Sequence, residues 1–407
     1  MSPIEQAREL DNADPLACYR ERFVIPDGVI YLDGNSLGCM PRKTAVRMSE
    51  VLEKEWGQGL IRSWNDADWF GLAKQVGAKI APIIGAGPNE VIACDSTSIN
   101  LFKLIAAALE MHPDRNVVLS EPGNFPTDLY MIAGLEKQGL AQRRLAARDK
   151  MIDAIDNDVA LLVLTHVHYK TGEKFDLLEL TQAAHAAGAL VLWDLSHSAG
   201  AIPIDLGAAN ADFAVGCGYK YLCGGPGAPA YAFVAERHHQ ELAQPLTGWF
   251  GHDQPFAFKD DFVAARSIEQ LQCGTPPILG LAALEVGVDI IAEIGVSRLA
   301  QKSIALSEFF LECLSRFEIS LDLACPADSS QRGSQVAFFH KNAFGICQAL
   351  IARGVIGDFR DPDILRLGFA PAYLRFEDMA IAATQLRQVL DGEKWRLAKF
   401  NRRPKVT

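Results

Sequence analysis

Apolar runs recur through the middle of the chain, each followed by a polar or glycine-rich turn. Val117-Val118-Leu119-Ser120, residues 159–168, Ala189-Leu190-Val191-Leu192-Trp193, Phe213-Ala214-Val215-Gly216-Cys217 and Ala230-Tyr231-Ala232-Phe233-Val234 have the continuous apolar character of strands covered on both faces. Between them the spacing turns helical. Ala45, Met48, Val51, Leu52 and Trp56 recur at three and four and predict a helix over 42–57. Further helices are expected from Leu101 to Leu109, from Pro126 to about Gln138, and over 176–188, where Leu177, Leu180, Ala184 and Ala187 share a face. Strand and helix alternating through short connections predict an α/β fold with a mostly parallel central sheet.

The ends of the chain break this rhythm. Residues 1–28, punctuated by Pro15, Pro26 and Asp27-Gly28, predict an N-terminal arm. Residues 246–277 form a long polar stretch without a period, the kind of segment that serves function or an interface. Ile278 to about Phe317 is largely helical, and the residues beyond Phe317 predict a smaller α+β unit. Its strands are Ile319-Ser320-Leu321-Asp322, Gln335 to Phe339 and Ile364 to Gly368, and its helices lie at about 343–353 and 376–391. The expected division is an arm at 1–28, a large domain at 29–280 and a small C-terminal domain at 281–407. The basic tail from Lys399 to Thr407 is expected to fray.

Composition narrows the functional classes. With 407 residues and a net charge of −11, nucleic acid and anionic membranes are poor partners. No apolar stretch approaches the roughly 20 residues of a membrane helix. The first residues lack a basic region followed by an apolar one, so no signal peptide is expected. Nine cysteines without Cys-x-x-Cys pairs suit free thiols in a reducing, cytoplasmic compartment. His166/His168 and His238/His239 lack companion ligands, so no metal site is expected.

The candidate chemistry lies at strand ends. Asp194 ends one apolar run, and Lys220 follows the next, 26 residues later. Ligands of open α/β sheets bind outside the carboxyl ends of their strands. An acid and a lysine placed there suit pyridoxal 5'-phosphate (PLP), with the lysine as Schiff base and the carboxylate on the pyridinium nitrogen. Asp95-Ser96-Thr97-Ser98-Ile99-Asn100 opens the helix beginning at Leu101. Its hydroxyls fit capping, and its helix N-terminus fits a phosphate. Phe125, just before Pro126, can stack on a planar ring. Trp56, Trp64 and Trp69 cluster around Gly57 and Gly59, as core or as an aromatic pocket. Leu222-Cys223-Gly224-Gly225-Pro226-Gly227 is a tight turn and lacks the Gly-Lys-Ser/Thr ending of a P-loop.

Six motifs together resemble the kynureninase family, PLP-dependent hydrolases of the aspartate-aminotransferase-like superfamily. They are Leu32-Asp33-Gly34-Asn35-Ser36-Leu37-Gly38, Asn124-Phe125-Pro126-Thr127-Asp128, Tyr169-Lys170-Thr171-Gly172, Asp194-Leu195-Ser196-His197-Ser198-Ala199-Gly200, Tyr219-Lys220-Tyr221-Leu222 and Thr275-Pro276-Pro277-Ile278-Leu279. The resemblance covers almost the whole chain. It implies a PLP-dependent transferase-like fold of type I, an α/β/α sandwich with a smaller α+β C-terminal domain. Lys220 then binds PLP covalently, Asp194 pairs with the ring nitrogen, and His197 lies near the ring oxygen. Thr97 and Ser98 hold the phosphate with Tyr219, Phe125 stacks on the ring, and Asp128 and Thr165 lie close by. Trp249 and Thr275 reach the phosphate region from the partner subunit of a homodimer, and some relatives carry Asn at the Thr275 position. Arg366 binds the substrate α-carboxylate as a bidentate fork. The implied reaction takes L-kynurenine, or 3-hydroxykynurenine, and water to anthranilate and L-alanine in tryptophan catabolism, the kynurenine pathway that leads toward NAD. Lys220 and Asp194 are the catalytic pair, and Tyr219 is an acid/base candidate or a phosphate ligand.

The same fold hosts other chemistries. A cysteine desulfurase or class V aminotransferase is the nearest alternative. A desulfurase needs a mobile reactive Cys, for which Cys273 is the candidate. A non-catalytic PLP-binding protein is the alternative of another class, and intact Lys220, Asp194 and His197 argue against it.

Overall fold

The computed structural model describes residues 1–403; the last part of the tail, expected to fray, lies outside the described residues. In chain order the elements begin with α1 (Pro3–Ala13), β1 (Ile30–Tyr31), α2 (Arg42–Glu50), α3 (Ser63–Asp66) and α4 (Leu72–Ile80). The large sheet is built from β2 (Val91–Ala93), α5 (Thr97–Met111), β3 (Val117–Ser120), α6 (Pro126–Lys137), β4 (Gln142–Leu145), β5 (Val159–Thr165), α7 (Leu177–Ala186), β6 (Leu190–Asp194), β7 (Phe213–Gly216) and β8 (Tyr231–Val234). The C-terminal part holds α8 (Ile278–Ile294), α9 (Val296–Arg316), β9 (Asp322–Leu323), β10 (Gln335–Phe339), α10 (Ala343–Ile351), β11 (Val355–Ile356), β12 (Asp358–Arg360), β13 (Ile364–Gly368) and α11 (Phe376–Asp391).

Seven strands form the central sheet in the order β2-β8-β7-β6-β5-β3-β4. Neighbours from β7 to β4 pair in parallel, while β8 runs antiparallel to both β7 and β2. All seven residues of β5 and all five of β6 are buried, as continuous apolar runs require of strands covered on both faces. Sequence chemistry sets the helix starts. Ser96 caps α5 by accepting the Ile99 N–H, Asp176 caps α7 by accepting the Glu179 N–H at 2.9 Å, and Pro126 occupies the first position of α6. A second, antiparallel sheet has the order β12-β13-β10-β9, and β1 pairs in parallel with β11.

Several elements differ from expectation. The residues expected to form an arm contain α1, closed by a capping box between Ser2 and Glu5 and packed on α11. Ala7, Leu16 and Phe23 from this stretch are core residues. The helix expected over 42–57 is α2 continuing into a wider π-helical stretch, Val51–Gly59. The helical region after Ile278 is two helices, broken at Gly295, whose φ of +85° suits glycine alone. The strand expected at 319–322 lies slightly later, as β9. The line drawn between residues 280 and 281 falls inside the first turn of α8, and β1, on its N-terminal side, pairs with β11.

Candidate active site

The parallel register aligns the carboxyl ends of three strands. Thr165 sits opposite Asp194, and Asp194 sits opposite Val215. The chain leaving β7 then returns Tyr219 and Lys220 to the same edge. These ends form a cleft lined by Thr97, Ser98, Phe125, Thr165, Asp194, His197, Tyr219 and Lys220. Eight of the expected site residues therefore meet in one place. Ser96, Thr127, Tyr169 and Ser196 also line it and were not singled out from sequence. Thr127, Tyr169 and Ser196 lie inside the family motifs and Ser96 in the capping stretch before α5, so the signal was present without a role attached to each residue.

Each side chain is held by local structure. Capping of α5 is taken by Ser96, so the hydroxyls of Thr97 and Ser98, one and two residues on, face the cleft beside free helix N–H groups. Lys220 is buried, with Nζ 5.6 Å from the Phe125 ring centroid and 5.9 Å from that of Tyr219. Tyr169 meets Phe125 edge to face, their centroids 5.2 Å apart. Asp128 does not line the cleft. It sits fully buried behind Thr165 and accepts that residue's hydroxyl proton at 2.9 Å.

Asp194 is buried, which raises its pKa, while the Ser196 N–H at 2.7 Å and the Lys220 ammonium favour its charged form. Burial and the Asp194 charge push Asp128 well above the ordinary carboxylate range. Both carboxyls are thus raised, Asp128 further than Asp194, and of the two only Asp194 accepts a backbone N–H against its charge. Burial, reinforced by Lys220, drives the His197 pKa well down, so its imidazole is neutral. Burial raises the Tyr219 phenol, which keeps its proton and serves as a donor. His197 Nδ1 and Asp128 Oδ1 are buried without a partner. Such atoms are rare in proteins and ask for a polar ligand. A planar ring with a protonated nitrogen, a ring oxygen and a phosphate fits Asp194, His197 and the α5 N-terminus respectively.

Beneath the cleft, Lys103 of α5 is completely buried. Its Nζ donates to Asp95 Oδ2 at 2.7 Å and to the Leu271 carbonyl at 2.6 Å. It ties the turn that presents Thr97 and Ser98 to the segment over 246–277.

The remaining expected residues lie elsewhere. Trp249 and Thr275 line a separate cavity of about 740 Å³ with Trp64, Phe70, Phe250 and Phe256. Trp249 is 42 % exposed. Trp64 and Phe250 meet at a tilt, their centroids 5.6 Å apart, so Trp64 of the tryptophan cluster contributes to an aromatic wall, while Trp56 and Trp69 do not line the cavity. Arg366 is 1 % exposed and touches the cleft through the Tyr169 carbonyl. Its charged partner is Asp358, which sequence reasoning missed, as it did Arg360 on the same carboxylate. Alternation along Asp358-Phe359-Arg360 was the available signal. Burial raises the Cys273 thiol pKa, the opposite of what a desulfurase nucleophile needs. Among the described residues no group of three or more His, Cys, Asp or Glu could hold a metal, and no helix is long and apolar enough to cross a membrane.

Fold and cleft together define a class, the fold-type I architecture of PLP-dependent enzymes. A cysteine desulfurase from Thermococcus onnurineus NA1 superposes with a TM-score of 0.78 at 18% identity, covering 92% of this chain and 98% of that one. A C-DES mutant with glycine covalently linked to its PLP cofactor gives 0.79 at 16% identity, covering 90% and 98%. At such identity these structures speak for the fold alone. Sequence is more specific. Residues 299–386 match the kynureninase C-terminal domain family. Kynureninase of Burkholderia mallei (strain SAVP1) is 48% identical over 100% of both chains, and that of Pseudomonas fluorescens is 45% identical over 98% of both. The chain belongs to the kynureninase family.

Proposed function

We propose that this chain is a PLP-dependent hydrolase that cleaves the Cβ–Cγ bond of L-kynurenine, yielding anthranilate and L-alanine. The observation that carries the reading is the cleft itself, where Lys220, the Asp194 carboxyl and the orphaned Nδ1 of His197 meet the free N-terminus of α5. When bound there, PLP supplies an electron sink for the carbanion chemistry. Thr97, Ser98 and the helix N–H groups bind its phosphate, Phe125 covers a ring face, and Asp194 keeps the ring nitrogen protonated. Lys220 takes the proton from the substrate Cα. Water adds at the γ-carbonyl carbon, the Cβ–Cγ bond breaks, and Cβ gains a proton. Tyr219, holding its proton, is the donor for the carbonyl step. Arg366 is the cation for the α-carboxylate.

The aromatic cavity supports a homodimer with shared sites. Trp249, Phe256 and Phe258 are 42%, 57% and 73% exposed, an apolar surface that a monomer rarely leaves uncovered. Pairing through a two-fold would bring Trp249 and Thr275 to the partner's cleft, and Trp64 and Phe250 with them, as a wall for an aryl ring. Nine free cysteines support a cytoplasmic setting. The test is product analysis. Holoenzyme given L-kynurenine should release anthranilate and L-alanine in equal amounts, with 3-hydroxykynurenine assayed in parallel for preference. Absence of anthranilate, or sulfur release from L-cysteine instead, would overturn the reading.

A further inference from the structure

Arg366 belongs to a charged cluster, whose other members the proposed chemistry leaves unused, where the loop after β1 meets β12 and β13. Antiparallel register places Asp358 opposite Arg366. Arg366 Nε donates to Asp358 Oδ1 at 2.9 Å, and Nη2 donates to Asp358 Oδ2. Nη2 also donates to Ser36 Oγ at 2.9 Å, and Nη1 donates to the Tyr169 carbonyl. Ser36 Oγ donates onward to Asp358 Oδ2 at 3.0 Å, and Arg360 Nη2 lies 2.7 Å from that same oxygen. Asp358 is 3% exposed. Burial raises its pKa, but Arg366 and Arg360 outweigh burial and hold it ionised. Asp33, next in the cluster, has a buried Oδ1 without a partner. Burial and the Asp358 charge hold its carboxyl up to about 7.

A guanidinium has five N–H groups. Asp358 takes Nε–H and one Nη2–H, Ser36 takes the other Nη2–H, and the Tyr169 carbonyl takes one Nη1–H. One Nη1–H remains. An incoming carboxylate that took the Nε edge would evict Asp358 and leave a buried charge unpaired, which is strongly unfavourable. The Nη edge is different. There the carboxylate replaces a neutral hydroxyl and gains the charge-assisted bond.

We infer that Asp358 is a positioning residue that locks the Nε edge of Arg366 and so presents its Nη edge to the substrate α-carboxylate, with Ser36 as the placeholder that the carboxylate displaces. The inference rests on Arg366 being the carboxylate grip, as proposed above. It replaces the picture of a free fork with one whose approach is fixed by a buried anion.

The experiment compares the binding of L-alanine and L-alaninamide, which differ at the carboxylate, by absorbance titration of holoenzyme. Wild type should prefer L-alanine. Arg366→Gln tests the underlying reading: it should abolish the preference, and a retained preference would show that Arg366 does not grip the carboxylate. With that established, Asp358→Asn should weaken L-alanine at least tenfold and leave L-alaninamide within twofold. Equal weakening of both would mark a merely structural role, and an unchanged preference would mark none; either overturns the inference. Ser36→Ala should bind L-alanine as tightly as wild type or more tightly. Tenfold weaker binding would make Ser36 a ligand in its own right and overturn the placeholder. Should Asp358→Asn fail to fold, Asp358→Glu, which keeps the charge and shifts it along the Nε edge, is read by the same comparison: selective weakening of L-alanine supports the inference, and equal weakening of both ligands or an unchanged preference overturns it.

Discussion

Replacing Glu121 by Gln should make the protein more stable, and only at higher pH. Glu121 follows β3 in the loop that carries Phe125, and it is 3% exposed. Its ion pair with Arg148 is long, with Nε–Oε2 at 3.3 Å and Nη2–Oε1 at 3.4 Å. Arg148 divides itself further, lying 3.5 Å from Glu173 and stacking on Phe175. Burial therefore wins over the attraction and pushes Glu121 up from 4.5 to about 7. Burial also lowers the Arg148 pKa, so both partners show the pair under-compensated. The folded state binds the proton more tightly than the unfolded one. The contribution of Glu121 to stability is thus fully present below pH 4.5 and is lost as pH rises through 7. At about 1.4 kcal/mol per pKa unit, the ionised carboxylate costs about 3 kcal/mol at pH 8. Glu121→Gln keeps an acceptor for Arg148 and removes that cost. Urea midpoints of both holoenzymes at pH 5 and pH 8 give the comparison. The advantage of the variant should grow by about 2–3 kcal/mol between them. A variant that is less stable at pH 8, or an advantage that does not change with pH, would refute the reasoning.

Lys220→Ala should leave a folded protein whose anthranilate release falls at least about a thousandfold, followed by anthranilate fluorescence. Asp194→Asn should retain cofactor yet slow Cα deprotonation by about a hundredfold or more, read as exchange of the L-alanine α-proton in deuterated buffer. Co-expressed Lys220→Ala and Trp249→Ala chains should form mixed dimers with one wholly native site. Isolated heterodimers no more active per intact lysine than Trp249→Ala dimers would sink the shared site. Lys103→Met should weaken PLP binding about tenfold in a fluorescence titration, below the full value of a broken buried pair because Asp95 is 28% exposed.

The central strands were legible because burial on both faces leaves no polar position to obscure them, as β5 and β6 show. β4 was not, since Gln142, Arg143 and Arg144 lie on an edge where no apolar pattern is demanded. α1 was hidden by its largely polar surface, although Ser2 and Glu5 carried its capping box. In the cleft, residues that follow a strand end or open a helix come together because local chemistry positions them. Ser36 was invisible as a partner of Arg366, for the two lie 330 residues apart and only the fold joins them, whereas Asp358, eight residues from Arg366, needed the antiparallel register of β12 and β13 to be placed opposite it. Trp249 and Thr275 were flagged through the family resemblance, and the single chain gathers them with Trp64 and Phe250 in a cavity that Lys220 does not line.

The buried ammonium of Lys103 has a consequence for how the protein is assembled. One cation is shared between the turn that meets the cofactor phosphate and the segment that carries Trp249 and Thr275. Ordering either one orders the anchor of the other. In the proposed dimer, PLP binding and subunit association are then expected to be coupled through this shared anchor. By reciprocity, whatever factor PLP contributes to the dimerisation constant, dimerisation must return to the affinity for PLP. A cell short of PLP would then hold looser dimers, and dilution would release cofactor along with the partner chain.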